Sequence, residues 1–152
     1  MPVKPVPHDT QALSPYLIVK GAPEAIRFYA EAFGAEELFR LTDPKGKIGH
    51  AELEVCGARF MLADEHPDFG ALSPVTLGGS PVSLHLYVEN VDKTVAQALA
   101  AGATLLRPVK DEFYGDRTGM VADPHGHKWH LATRKETVSP EEMQKRMNAA
   151  YA

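Results

Sequence analysis

Apolar and polar residues follow two different periods along this chain, and each period predicts one kind of element. From Ile48 to Val55 apolar and polar side chains alternate, which predicts a strand with one buried face. From Pro23 to Phe33 the apolar residues recur with helical spacing, and Gly34 follows as a helix stop. The chain is therefore expected to combine half-buried strands with amphipathic helices.

The same order of elements occurs twice along the chain. A repeat of this length is too long for a solenoid unit and indicates a duplicated half-domain, in which each half reads β-α-β-β-β. Two such halves are expected to form a cleft between them, and we expect the functional site there. The residues that recur at an offset of 69 positions (88 − 19 = 69) are Val19 and Val88, Gly46 and Gly115, Gly57 and Gly126, and Leu62 and Leu131.

The length of 152 residues fits one domain. A stretch rich in Pro, Gly, Ser and Asp separates the halves and is expected to be an exposed connection. Near the end, Ser139 and Glu142 have the spacing of a capping box, with Pro140 at the first helical position. The predicted units are a single domain over 1–152, a first module over 14–63, a connection over 64–81, a second module over 82–133 and a C-terminal helix over 139–150.

Composition excludes several classes of protein. The formal net charge is −4 and no long basic run occurs, so we expect no nucleic-acid partner. No apolar stretch is long enough for a membrane span and no secretory signal is visible, which makes the cytoplasm the expected location. The only cysteine, Cys56, lies in an apolar strand-like run and is predicted to be a buried structural thiol.

Five segments carry a resemblance to a known family: PYLIVKGAPEAIRFYAEAFGAEELFR, GKIGHAELEV, SPVTLGGSPVSLHLYVENVD, FYGDRTGMVADPHGHKW and SPEEMQKR. Together they resemble the vicinal oxygen chelate superfamily, which includes glyoxalase I, bleomycin- and fosfomycin-resistance proteins and extradiol dioxygenases, and most of all its PhnB-like branch. The resemblance implies an α+β fold, in which two βαβββ modules form a curved, mixed, eight-stranded sheet with helices on the convex side. It also implies a homodimer, which would cover the open sheet edges.

The resemblance further implies where a metal would bind. Metal-dependent members of the superfamily take four ligands from two strand positions in each half. A serine hydroxyl is a weak neutral ligand, and a thioether is too soft for the metals of such sites. We therefore predict no tightly bound divalent ion at these positions and expect no cofactor. The corresponding residues here are Ser14, Met61, Ser83 and His130.

Strand parity selects candidate site residues. His85 and Tyr87 alternate with leucines that are expected to pack under the helices, so they should face the cleft. The same argument turns His130 inward and brings His50 and Glu52 to the cleft from the first half. We predict His85 or Glu52 as proton acceptor, since histidine titrates near neutrality and burial would raise the pKa of the Glu52 carboxylate and make it a stronger base. An open alternative is that each histidine is a satisfied polar residue, or Glu52 a solvated carboxylate.

A loop in the second half adds two candidates. The string Tyr114-Gly115-Asp116-Arg117 precedes a predicted strand, so Tyr114 is expected to close over a ligand and Arg117 to anchor an anionic group. The alternative is a structural loop in which the charged side chains bind backbone groups. The turn Asp123-Pro124-His125-Gly126 is expected to leave His125 and His127 exposed.

Two functional hypotheses follow. In the first, the protein binds a small organic molecule in the concave cleft without the superfamily's standard metal site. In the second, it is a lyase, isomerase or dioxygenase acting on a small oxygenated substrate, with an off-position metal held by histidines as one variant. The ligand-binding residues predicted for either case are His50, Tyr87, Tyr114, Arg117 and His130, and an off-position metal would use His50, His85 and His130.

Overall fold

The computed structural model describes residues 2–152, and Met1 lies outside them. The elements follow the order expected from the repeat. The first half contains β1 (Tyr16–Val19), α1 (Ala22–Phe33), β2 (Glu36–Thr42), β3 (Ile48–Val55) and β4 (Ala58–Asp64). The connection contains a 3-10 turn (Pro67–Phe69) and the short helix α2 (Pro74–Leu77). The second half contains β5 (Ser83–Tyr87), α3 (Val91–Ala101), β6 (Thr104–Asp111), β7 (Asp116–Ala122) and β8 (Lys128–Arg134), and α4 (Pro140–Ala150) follows.

Each half forms its own four-stranded mixed sheet. The strand orders are β1-β4-β3-β2 and β5-β8-β7-β6. The first and last strands of each half pair in parallel, and all other pairs are antiparallel. The predicted fold class, α+β with two βαβββ modules, is confirmed, and its eight strands are divided between two hydrogen-bonded sheets of four. No helix within residues 2–152 has the length and apolar character needed to cross a membrane.

The repeat is visible in the way each half begins its helix. The carboxylate of Asp64, at the end of β4, accepts a 2.7 Å hydrogen bond from the amide of Ala22 at the start of α1. The hydroxyl oxygen of Thr133, in β8, accepts a 2.9 Å bond from the amide of Val91 at the start of α3. Both pairs are related by the offset of 69 positions. The last strand of each half therefore satisfies an amide that has no partner within its own helix.

The two halves share one hydrophobic core. Helix α1 packs against α3, and the apolar face of each sheet packs against these two helices. The ring of Trp129 on β8 lies 4.7 Å from that of Phe33 on α1 and 5.9 Å from that of Phe60 on β4, measured between centroids. Trp129 is buried, as its strand parity predicts. The side of each sheet turned away from this core is called its outer face below.

Strands β6 and β7 are longer than the sequence pattern indicates, since that pattern predicts strands only near 104–107 and 119–122. Strand β7 begins at Asp116, so Asp116 and Arg117 belong to a strand and the prediction that they form a loop is wrong. Strand β6 continues through Pro108, and its register with β7 shifts on both sides of the preceding residue, Arg107. Proline lacks an amide donor and is tolerated here because β6 is an edge strand.

The predicted exposure of three side chains is wrong. Cys56 is exposed, because it occupies the turn between β3 and β4 with φ of 49° instead of the strand itself. His125 is buried, and the Nε2–H of the half-buried His127 donates a 3.0 Å hydrogen bond to the carbonyl of Ile18. The turn that carries both histidines packs against α2, where an added Cβ on Gly126 would lie 2.8 Å from Pro74.

The connection between the halves is folded more tightly than its composition indicates. Ser73 is completely buried and caps α2, accepting a hydrogen bond from the amide of Thr76. Its own amide and hydroxyl donate to Glu65, at 2.8 and 2.6 Å. The hydroxyl of Thr76 donates to the same carboxylate. This segment is therefore a fixed wall beside the first sheet.

Candidate functional site

The outer face of each sheet carries a row of side chains that lie opposite one another on neighbouring strands. The rows run across all four strands and occupy equivalent places in the repeat, so Tyr16 stands where the second half has His85, and Met61 where it has His130. The first row is Phe39, Glu52, Met61 and Tyr16, and the second is Arg107, Met120, His130 and His85.

A chain of hydrogen bonds links three side chains on the first outer face. The hydroxyl of Tyr16 lies 2.7 Å from Nδ1 of His50, and Nε2 of His50 lies 3.0 Å from Oε2 of Glu52. The ring of Phe39 covers the imidazole from β2 at 5.7 Å between centroids. The pKa of Tyr16 is raised by burial and, to a smaller extent, by the negative charge of Glu52. Tyr16 therefore stays protonated at neutral pH.

A large cavity lies beside this chain. Its volume is about 670 Å³, which is the size of a small-molecule site, and its surface is mainly apolar. Tyr16 forms part of its wall, so the hydrogen-bonded chain meets the cavity there. The connection closes one side with His66 and Phe69, whose rings stack at 4.2 Å. The aliphatic lining comes from Ile18, Leu41, Ile48, Ala63 and Ala71, and the charged lining from Asp43, Lys47, Asp64 and Glu65.

On the second outer face, Tyr87 is held by charged neighbours. Its hydroxyl donates a 2.7 Å hydrogen bond to Asp116, which is buried. The guanidinium of Arg134 lies 5.4 Å from the centroid of the Tyr87 ring and donates a 3.2 Å bond to the Tyr87 oxygen. The Tyr87 hydroxyl is thus already engaged in two hydrogen bonds.

His85 and His130 lie together on the second outer face, so parity correctly places both on the side of the sheet opposite the core. The predicted cleft between the two halves is wrong for a single copy of the chain, because the halves meet through their shared core and the outer faces are turned away from it. Their ring centroids are 6.2 Å apart. The pKa of His130 is lowered by burial first, and then by the nearby His85 and Arg107. His130 is therefore neutral at physiological pH and able to accept a hydrogen bond. It lines a second cavity of about 300 Å³ with Arg107 and Tyr114, and burial raises the pKa of the Tyr114 phenol.

Arg117 lines neither of these two cavities, so the structure does not bring it to the predicted place of an anchor for an anionic group. It alternates with Asp116 along β7 and points to the helix side, where it donates to Asp92 of α3 at 2.8 and 3.0 Å. Asp111 accepts a further bond at 3.2 Å. Two carboxylates already neutralise the guanidinium, so it is not available as an anchor for an anionic ligand. Arg107 occupies the place beside the second cavity that was assigned to Arg117.

The residues present do not suit the superfamily's metal. Within residues 2–152, no three His, Cys, Asp or Glu side chains lie close enough to hold an ion. The three histidines of the predicted off-position set are divided, because His50 lies on the first outer face and His85 and His130 on the second. At the four family positions, Ser14 precedes β1 and Ser83 lies opposite Lys128, so neither is in the rows. A hydroxyl and a thioether are poor ligands for divalent ions in such sites.

The chain matches a known protein family. Residues 10–131 match the model of the Glyoxalase/Bleomycin resistance protein/Dioxygenase superfamily. The chain belongs to this superfamily. The resemblance inferred from the sequence segments is therefore confirmed, and this superfamily member shares its topology with several solved structures.

Among relatives of this superfamily member is an uncharacterised protein of Mycobacterium tuberculosis, which is 44% identical over 141 residues, covering 91% of this chain and 83% of the relative. A glyoxalase-related enzyme from Fulvimarina pelagi has 26% identity and a TM-score of 0.64, covering 82% and 88% of the two chains. A PhnB protein from Bacillus cereus has 23% identity and a TM-score of 0.62, covering 81% and 99%. At 23% identity, the likeness to the PhnB protein shows a shared fold.

Sequence reasoning missed two residues of the candidate site. Tyr16 is absent from the predicted site residues, although the offset of 69 positions aligns it with His85. Arg107 is likewise absent from the predicted site residues. Its position opposite Met120, next to His130, depends on the irregular register around Pro108, which no sequence pattern indicates.

Proposed function

We propose that this protein binds a small, mainly apolar organic molecule on its outer faces, without the superfamily's standard metal site. The observation that carries the proposal is the cavity of about 670 Å³ on the first outer face, whose surface is mainly apolar. Tyr16 and the pair of His50 and Glu52 would orient the molecule. On the second face, His85, Tyr87, Tyr114 and His130 would add contacts.

We further propose that a homodimer completes the site. Within residues 2–152, no hydrogen bond joins the two outer faces, because each is turned away from the shared core. Edge strands β2 and β6 expose large apolar residues, including Phe39, Leu41, Leu105 and Leu106. A second copy of the chain that covered these edge strands would bury their apolar residues. It would also bring the first outer face of one copy against the second outer face of the other. Sedimentation that showed a monomer at micromolar concentration would contradict this part of the proposal.

The cavity is tested with para-nitroanisole, a neutral aromatic ether. Binding is followed by the shifts of cavity amides in NMR spectra. Leu41→Glu places an unpaired charge in the apolar wall and is expected to weaken binding about tenfold or more. Leu77→Glu, at an exposed site on α2 outside the cavity lining, is the matched control and should leave binding unchanged. Equal binding by the wild type, Leu41→Glu and Leu77→Glu would contradict the assignment of the cavity. The absence of binding by all three would contradict it as well.

The second candidate function is that of an enzyme, a lyase or isomerase acting by proton transfer. The chain formed by Tyr16, His50 and Glu52 favours it, since hydrogen-bonded groups of this kind move protons in acid–base catalysis. A dioxygenase is the alternative if an assembly of several copies of the chain brings together ligands for a metal. A location in the cytoplasm, with no nucleic-acid or membrane partner, is part of the same proposal.

A further inference from the structure

The direction in which protons can move follows from the partners of His50. An ionised Glu52 can only accept a hydrogen bond, so Nε2 of His50 must carry the hydrogen of their 3.0 Å bond. In the neutral imidazole, Nδ1 is then an acceptor, and the Tyr16 hydroxyl must donate to it at 2.7 Å. The single hydrogen of Tyr16 thus points away from any ligand. The phenol therefore offers the cavity the lone pairs of its oxygen.

We propose, building on the binding site assigned above, that these three residues form a proton-accepting relay for a ligand with an acidic hydroxyl group. The ligand O–H donates to the oxygen of Tyr16 and transfers its proton there. The original proton of Tyr16 passes to Nδ1 of His50. The products are a ligand oxyanion and an imidazolium that Glu52 stabilises, so charge and atoms are conserved.

The relay limits the chemical class of the ligand. An imidazole accepts a proton readily only from a group of comparable acidity, and a phenolic hydroxyl, with a pKa near 10, comes far closer to this than an ordinary alcohol. Phenols and enols therefore fit. Tyr16 would pass the proton on without keeping the negative charge, because its own pKa is raised by burial and by Glu52.

The charges around the cavity indicate that the ligand enters in its neutral form. Asp43, Asp64 and Glu65 outnumber Lys47 among the lining residues, which disfavours a ligand that already carries a negative charge. Asp64 and Glu65 are occupied by hydrogen bonds from the chain itself, so neither is expected to compete as a base. Ionisation would then occur only next to His50, where the imidazolium balances it.

The test uses para-nitrophenol, whose absorption spectrum distinguishes the phenol from the phenolate. Binding to the wild-type protein should increase the acid dissociation constant of para-nitrophenol about tenfold. At a pH below the pKa of the free probe, a larger fraction of the bound probe than of the free probe should then be ionised. His50→Gln removes the proton acceptor and Tyr16→Phe removes the contact with the ligand, so both should abolish this increase. Glu52→Gln, at a positioning residue, should reduce it because the imidazolium loses its countercharge.

Para-nitroanisole, which lacks the hydroxyl, is the control ligand, and it should bind the wild type and Leu77→Glu, a variant outside the cavity lining, equally. If it binds but the spectrum of bound para-nitrophenol shows no added ionisation, the relay is overturned while the binding site stands. An unchanged ionised fraction in His50→Gln would also overturn the relay. Binding of neither probe would overturn the site, and the relay with it.

Discussion

The hydroxyl of Tyr29 donates a 2.6 Å hydrogen bond to the carboxylate of Asp123, and both residues are buried. Tyr29 lies on α1 in the first half, whereas Asp123 begins the turn between β7 and β8 in the second. The same carboxylate oxygen accepts a 2.9 Å bond from the indole of Trp129. The bond therefore ties the two halves together at the centre of their shared core. Burial and the nearby carboxylate raise the pKa of Tyr29 well above its ordinary value, so the phenol remains a donor.

Replacing Tyr29 by Phe should lower the free energy of unfolding by about 1–3 kcal/mol, because a buried carboxylate loses one donor while the ring is retained. The measurement is the midpoint of urea unfolding at constant slope. Tyr151→Phe, at an exposed residue, is the control and should have no measurable effect. Equal midpoints for the two variants would show that the bond adds nothing to stability.

Gly126 and its repeat partner Gly57 provide a second comparison. Both have positive φ, 90° and 80°, but an added Cβ meets Pro74 at 2.8 Å in Gly126 and nothing within 4 Å in Gly57. Gly57→Ala should cost about 1–2 kcal/mol from backbone strain alone. Gly126→Ala should cost about 2–5 kcal/mol, because the clash with α2 is added. The melting temperatures of both variants measure this difference. Similar losses of stability would mean that α2 moves away from the added methyl group at no cost.

Arg107 and Arg117 should differ in their effect on His130. Arg107→Gln removes a positive charge near the imidazole and should raise the pKa of His130 towards its ordinary value, although burial would still hold it down. Arg117→Gln, on the helix side of β7, should leave that pKa unchanged. The pKa is followed by NMR titration of the His130 ring. A shift of equal size in both variants would contradict the placement of the two arginines.

Glu65 should make stability depend on acid pH. The hydroxyls of Ser73 and Thr76, and the Ser73 amide, lower its pKa to about 2, below the value of roughly 4.3 in an unfolded chain. Its stabilising effect is therefore complete above about pH 4.3 and is lost as the pH falls towards 2. Glu65→Gln should lower the melting temperature at neutral pH, and its difference from wild type should shrink over that range. Glu31→Gln, on the exposed side of α1, should show no such dependence.

His85→Ala should weaken ligand binding with little change in melting temperature. His85 is exposed on the second outer face, and its ring contacts are with Tyr87 and His130. Removing it therefore takes a polar group from the proposed site without opening the core. The two measurements are the binding of para-nitroanisole, followed by NMR, and the melting temperature. Unchanged binding together with a large loss of stability would make His85 a structural residue.

The features that could be predicted from sequence are those set by local periodicity. Alternation along β5 and β8 was enough to place His85 and His130 on one face and Trp129 in the core. Arg117 could not be placed, because the start of β7 at Asp116 follows a turn and carries no apolar alternation. Once that start is known, parity turns Arg117 to the helix side.

Other features depend on contacts between segments that are distant in sequence. Helix α2 has only four residues, too few for a periodic pattern, so neither the burial of His125 nor the fixed connection could be anticipated. The bond between Tyr16 and His50 joins residues 34 positions apart and requires that β1 and β3 lie on either side of β4. Strand order was implied by the family resemblance, but the distance between two side chains was not.

Because the outer faces lie away from the shared core, their side chains contribute little to folding. Tyr16 is 47% and Tyr87 45% exposed, whereas Trp129 on the opposite side of β8 is 3% exposed. Substitutions at exposed positions usually change the free energy of unfolding by less than about 0.5 kcal/mol. The proposed recognition residues can thus be replaced one at a time during evolution, so that a ligand preference could change in a lineage before the scaffold itself diverges.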